Sequence, residues 1–224
     1  MEFTLLWAAL TAVALAWIGL RLWPDRLPDH AFDRLLGAGV AGLVAGRLAD
    51  MLSQGINPFI NPGDIIVIRG GVLTGAASLA FIAALYWSTR SHPSPLDAVA
   101  PAVLLGLAGW HGGCLSRDAC LGAQSDLPWA WTLGAGEITR HPVEIYAALA
   151  LAVGAWWVSR LGWRRWLRSG VALGLAAMVR LATEPLRPSI TGGPVWWYVA
   201  GIVAGSLAAG LGPRLPPQKT GVPT

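Results

Sequence analysis

Between residues 109 and 146 the chain reads GWHGGCLSRDACLGAQSDLPWAWTLGAGEITRHPVEIY, and this stretch gathers His111, Arg117, Asp118, Asp126, Glu137, Arg140, His141 and Glu144 between two long apolar runs. Ionisable side chains beside apolar spans are retained where they pair, line a wet cavity or meet a polar ligand. A histidine, which titrates near neutral pH, is suited to moving a proton. Arginine is always charged, and its planar fork of donors fits phosphate oxygens. The stretch is therefore the first candidate for a site, with proton transfer and anion binding as its chemistry. Cys114 and Cys120 lie between these residues without a zinc-type Cys–His pattern, so no metal site is expected. They read first as small packing residues and second as a disulfide facing an oxidising side.

The elements that must carry these residues are unusually apolar. Of the 224 residues, 54% are hydrophobic and 12% charged, and the mean hydropathy is +0.54. That composition excludes an ordinary soluble domain and points to an all-α fold, a polytopic membrane helix bundle. Seven apolar stretches, at roughly 3–22, 34–53, 70–88, 96–115, 143–159, 170–187 and 194–212, each approach the ~20 residues that a bilayer crossing requires. Pro- and Gly-marked connections separate them, and none is long enough to divide the chain. The expectation is one transmembrane domain over 1–224 with a reduced outer loop region at 116–141. Residues 1–23 begin with Glu2 rather than a basic segment, which suits a retained first span better than a cleaved signal.

The charges orient the bundle. The net charge of +4 does not concentrate in one patch, and no nucleic-acid module is present. With the N-terminus outside, the inner connections and tail receive Arg21, Arg26, Arg34, Arg90, Arg160, Arg164, Arg165, Arg168, Arg214 and Lys219. The positive-inside rule then predicts an N-out, C-in topology. Six arginines remain where topology does not ask for them: Arg47, Arg69, Arg117, Arg140, Arg180 and Arg187. Convergent guanidinium groups at a lipid-accessible cavity suit the anionic headgroup of a phospholipid. Gly42-xxx-Gly46, Gly71-xxx-Gly75 and Gly201-xxx-Gly205 read as helix contacts, and most of the thirteen tryptophans as interface anchors.

With these residues in view, the chain resembles the prolipoprotein diacylglyceryl transferase family of bacterial inner membranes. GLVAGRLADML, IRGGVLTG and LDAVAPAVLLGLAG are similar to its successive helix segments. His111-Gly112-Gly113-Cys114 through Gly122 occupies the frame of its signature, followed by Leu127-Pro128-Trp129, Arg140-His141-Pro142-x-x-x-Tyr146 and Arg180-x-x-x-Glu184-x-x-Arg187. Arg69 stands at the position of a family histidine, His111 at that of the signature arginine, and Glu144 at that of the glutamine after His-Pro. The resemblance implies a multi-pass inner-membrane enzyme that moves diacylglyceryl from phosphatidylglycerol to the thiol of a prolipoprotein cysteine, with no cofactor. It also implies Arg69, His111 and Glu184 as catalytic residues. Arg47, Gly70, Gly71, Gly122, Arg140, His141, Tyr146, Arg180 and Arg187 are implied for substrate binding. A transferase with another acceptor, or a non-catalytic membrane protein that binds or moves lipid, would share these features.

The chemistry needs a base and a clamp. A thiol of pKa about 8.5 must lose its proton to attack carbon, and His111 is the candidate base. Arg69, Arg140 and Arg180 are candidates to stabilise charge on the departing phosphate. Arg69 and His111 would then have exchanged two family roles. The structural readings are also specific. His111 would bond a backbone carbonyl at a helix end, and His141 would cap the helix that Pro142 begins. Arg180, Glu184 and Arg187 would pair along one helical face, as would Glu144 with Arg140 and Arg47 with Asp50.

Overall fold

The computed structural model describes residues 4–58, 60, 71–90, 95–114, 120–132, 138–187 and 194–212. Among them are seven α-helices: α1 (Thr4–Leu22), α2 (Ala31–Ser53), α3 (Thr74–Thr89), α4 (Pro95–Gly113), α5 (Val143–Arg160), α6 (Leu167–Thr183) and α7 (Val195–Leu211). These coincide with the seven apolar stretches, and no strand occurs among the described residues. α1 and α4 to α7 belong to one compact unit, and α2 and α3 form another.

Two helix ends differ from expectation. The sixth stretch was read as 170–187, but α6 starts at Leu167 and stops at Thr183, where a 3-10 turn, Glu184–Leu186, takes over. Pro185 has no N–H to continue an α-helix. Arg187 then leaves with φ −91° and ψ 143°, the extended backbone that a following proline favours. Arg180, Glu184 and Arg187 therefore do not share one helical face. α3 starts at Thr74 rather than near residue 70, so Gly71 precedes the helix and does not form an interhelical contact with Gly75. Gly71 instead approaches the Asp50 carboxylate, which lies 3.4 Å from where a Cβ would stand.

The other small-residue pairs do what their spacing predicts. In the α2–α3 unit, a Cβ at Gly42 would lie 2.9 Å from the Ala77 carbonyl oxygen, and one at Gly46 would lie 2.7 Å from the Ala77 side chain. In the larger unit, Gly201 and Gly205 of α7 face Ala177, Gly174 and Gly170 of α6. The same unit holds an antiparallel contact of α1 with α4 that runs from Gly19 against Ala102, through Ala16 against Gly106, to Ala8 against Gly113. Thr11 bridges this seam by donating its hydroxyl to the Gly109 carbonyl at 2.8 Å. With backbones this close, the core is thin: Leu104 and Ala108 of α4 meet Leu151, Ala155 and Val158 of α5 and Ala172 of α6.

The large side chains point the other way. Leu149 and Val153 of α5 are 61% and 66% exposed, and Trp156 and Trp157 continue the same outward stripe. Val199, Val203, Leu207 and Leu211 form a matching stripe on α7, as do Leu36, Val40 and Val44 on α2. Small residues inside and large apolar residues outside is the reverse of a soluble bundle.

One end of the larger unit is closed by polar contacts to backbone. Asp97, 1% exposed in the first turn of α4, accepts hydrogen bonds from the backbone N–H groups of Trp166 (2.6 Å) and Ser169 (2.8 Å) and from the Ser169 hydroxyl (2.9 Å). It thereby takes up donors that the start of α6 leaves open. Arg168 gives its guanidinium to the carbonyls of Ser159 (3.0 Å) and Leu161 (2.6 Å) at the end of α5, and Trp163 covers it.

The α6–α7 seam yields a prediction. A Cβ at Gly205 would stand 2.6 Å from the Gly174 nitrogen, so a side chain there must push backbone aside. Gly205→Val should lower stability by about 1–3 kcal/mol, seen as a reduced thermal unfolding midpoint in detergent. Gly210→Ala, which meets nothing within 4 Å, should leave that midpoint unchanged.

Candidate functional site

The opposite end of this unit brings three chain segments to one carboxylate. α4 ends at Gly113, which puts His111 in its last turn; α5 begins at Val143, immediately after Pro142, which puts Glu144 in its first. The 3-10 turn after α6 delivers Arg187 to the same place. His111 Nδ1 forms a short hydrogen bond with Glu144 Oε2, and Arg187 Nη1 lies 2.7 Å from Glu144 Oε1. His111 is 7% exposed and Glu144 5%. A carboxylate only accepts, so Nδ1 carries the hydrogen in this contact, and a neutral ring then keeps its lone pair on Nε2.

Further groups surround this core. Arg180, in the last turn of α6, donates Nη2 to the Tyr198 hydroxyl at 3.3 Å, with its guanidinium 5.7 Å from that ring. Among the described residues, Nε and Nη2 of Arg187 are buried without a partner, as is Nδ1 of His141. The His141 ring meets Tyr146 edge-on at 6.3 Å, and the Tyr146 hydroxyl accepts from Trp129 Nε1 at 2.9 Å.

The described parts of the connection between α4 and α5 are pinned by backbone. Gly122 N–H donates to the His141 carbonyl at 2.7 Å, Ala123 N–H to the Leu186 carbonyl at 2.7 Å, and Arg140 and Trp131 exchange two bonds at 2.9 Å. Gly122 has no room for a side chain, because a Cβ would run into Val143, the Leu186 carbonyl and His141. The connection and the turn carrying Arg187 are thus held together beside Glu144.

Set against the sequence, the structure brings together His111, Arg180 and Arg187, with Gly122, His141 and Tyr146 adjoining. Arg140 reaches this region through its backbone, and its side chain makes no ion pair among the described residues. Glu184 is partly buried at the start of the 3-10 turn and also makes no ion pair among them. Arg47 and Gly71 belong to the α2–α3 unit, where Arg47 Nη1 bonds Asp50 Oδ2 at 2.9 Å and the Gly71 carbonyl at 3.1 Å, so the Arg47–Asp50 pair forms. Arg69 and Gly70 lie outside the described residues, as do Arg117, Asp118 and Glu137.

Three expectations are corrected. Glu144 does not pair with Arg140, which precedes the helix and so has no i,i+4 relation to it; its partners are His111 and Arg187. His111 bonds a carboxylate rather than a backbone carbonyl. Cys114 and Cys120 form a disulfide instead of serving as separate packing residues, their Cα atoms being 5.9 Å apart. Sequence reasoning did not place Glu144 at the centre, although a carboxylate in the first turn of an otherwise apolar helix was the available signal. Tyr198 carried no such signal.

One family model, that of prolipoprotein diacylglyceryl transferase, matches residues 3–211, a span that includes all seven helices. The chain belongs to the prolipoprotein diacylglyceryl transferase family. Among curated members, a phosphatidylglycerol–prolipoprotein diacylglyceryl transferase of Methylococcus capsulatus is 28% identical over 192 residues, 78% of this chain and 73% of the relative. The protein of the same name from Chromohalobacter salexigens is 30% identical over 185 residues, 76% and 69% of the two chains. That of Polynucleobacter necessarius is 35% identical over 129 residues, 54% and 49%.

Within this family member the disulfide is directly testable. A thiol-alkylating reagent should label neither Cys114 nor Cys120 in the purified, denatured protein until a reductant is added, as read by intact mass. Labelling of either before reduction would contradict the pairing.

Proposed function

We propose that this family member is a membrane-embedded transferase that moves diacylglyceryl from phosphatidylglycerol, or a closely related anionic phospholipid, to the cysteine thiol of a prolipoprotein. The observation that carries this reading is the buried constellation of His111, Glu144 and Arg187, in which the arginine retains two donors unpaired among the described residues. A buried guanidinium with open N–H groups is suited to the oxygens of a phosphate.

In this reading the thiol passes its proton to Nε2 of His111. Sulfur forms a bond to the glycerol carbon as the bond from that carbon to the phosphate oxygen breaks. The electron pair leaves with glycerol phosphate. Arg187 and Arg180 hold the phosphate as its charge grows, and Arg140 serves the same headgroup. Stabilising charge where it develops is commonly the largest contribution to such a step.

The surroundings suit a bilayer. α2 has 23 residues, about 34 Å at 1.5 Å per residue, and it is long and apolar enough to cross. The other helices have 16 to 19 residues, about 24–29 Å, and α1, α5 and α7 among them carry outward apolar stripes that water would penalise. Orientation follows from charge. Arg26 stacks on Trp163 beside Arg168, at the end that also holds Asp97, so these two arginines lie opposite His111 and Glu144, as do Arg160, Arg164 and Arg165 by their place between α5 and α6. The basic end faces the cytoplasm, the N-terminus and the site face outward, and the protein is a multi-pass component of a bacterial inner membrane. A disulfide next to the site agrees with an oxidising outer side.

Three experiments test these statements. Purified protein incubated with phosphatidylglycerol vesicles and a lipobox peptide should add diacylglyceryl to the peptide, measured by mass spectrometry, with release of glycerol phosphate. Arg140→Ala and Arg180→Ala should each weaken phosphatidylglycerol binding by about tenfold or more, because each removes a charge-assisted contact of about 1.5–3 kcal/mol. Failure of the unaltered protein to modify the peptide would remove the transferase reading. For topology, a reporter fused after Thr224 should be active in the cytoplasm and one inserted at Gly134 should be active outside. The reverse pattern would invert the assignment.

A further inference from the structure

Resting on that reading, we propose that Glu144 is a positioning residue for the transfer, setting the base and the phosphate-holding cation with the two oxygens of one carboxylate. Oε2 takes His111 Nδ1 and Oε1 takes Arg187 Nη1 at 2.7 Å, so neither partner turns without disturbing the other.

The first consequence concerns the base. Holding Nδ1–H fixes the ring's tautomer and leaves Nε2 as the nitrogen that receives the thiol proton; the carboxylate also stabilises the imidazolium formed in that step. Glu144 itself neither gains nor loses the proton. The second concerns the clamp. Binding Arg187 through Nη1 alone leaves its Nε and Nη2 donors open, both buried and unpartnered. One edge of the guanidinium is spent on positioning, and the other donors remain for phosphate oxygens.

His111 and Glu144, 33 apart in the chain, touch. A histidine facing a carboxylate is a pair able to accept and hold a proton. Either residue without the other would leave a histidine lacking its orienting anion or a buried carboxylate with one partner fewer.

The test is a double-variant cycle in the peptide transfer assay, using the full chain in phosphatidylglycerol vesicles. His111→Gln and Glu144→Gln should each reduce kcat by about 10²–10³-fold. The double variant should lose no more than the worse single one, because the two act as a unit. Glu144→Asp keeps a charge for Arg187, and so guards against misfolding, but withdraws the oxygen from Nδ1. It should lose about 10²-fold in kcat, with KM for phosphatidylglycerol changed by less than about threefold. A thermal unfolding midpoint is measured for each protein. Losses that multiply in the double variant, or full activity in Glu144→Asp, would overturn the positioning role while leaving the transferase reading intact. Absence of transfer by the unaltered protein would overturn both.

Discussion

A carboxylate buried among apolar helices has to be paired, and the larger unit is arranged around meeting that requirement for Glu144. Removing one partner from a buried ion pair typically costs about 3–5 kcal/mol, a large part of the stability of a domain. Both of its partners come from far away in sequence, one from the end of α4 and one from beyond α6. The pairing therefore ties together the last turn of α4, the first turn of α5 and the chain leaving the 3-10 turn. Gly122 reinforces the tie, since only a residue without a side chain lets the α4–α5 connection pass between Val143, His141 and Leu186.

The two ends of this unit use polar groups differently. At the Asp97 end, the carboxylate accepts three hydrogen bonds and the Arg168 guanidinium is spent on backbone carbonyls, so the groups complete helix termini and leave little for a ligand. At the Glu144 end, Arg187 and His141 keep buried nitrogens without partners among the described residues. Native structures leave few such groups, and those that remain ask for a water, an ion or a substrate. Arginine and a carboxylate occur at both ends, but Asp97 and Arg168 are spent largely on backbone, whereas Glu144 holds two side chains.

Much of the fold could be read from the sequence because it depends on local composition. Seven apolar stretches became seven helices, and Gly42, Gly46, Gly201 and Gly205 took the close contacts their spacing implied. The site was less legible. Its central contact joins residues 33 apart, a separation that no helical period reports, so Glu144 was matched to the wrong neighbour, Arg140. Spacing alone puts Arg180, Glu184 and Arg187 on one helical face, but Pro185, a helix breaker legible in the sequence, ends the α-helix, and Arg187 turns toward α5 instead. The cysteines were ambiguous because a separation of six residues is compatible with packing, pairing or neither.

The departure of Arg187 from the helix is what gives the cluster its asymmetry. Had α6 continued, Arg187 would have stayed on the helix surface two turns beyond Arg180, with Glu184 between them. The proline-enforced turn separates them. Arg180 remains on α6 and takes the Tyr198 hydroxyl of α7, whereas Arg187 crosses to the carboxylate of α5. The two cations are thus held from different elements, Arg187 by the Glu144 carboxylate and Arg180 by the Tyr198 hydroxyl. An anion binding there would meet donors already fixed in direction, so little of its binding energy would be lost to ordering long side chains. The sequence feature responsible is a backbone one, Pro185, and its effect is electrostatic.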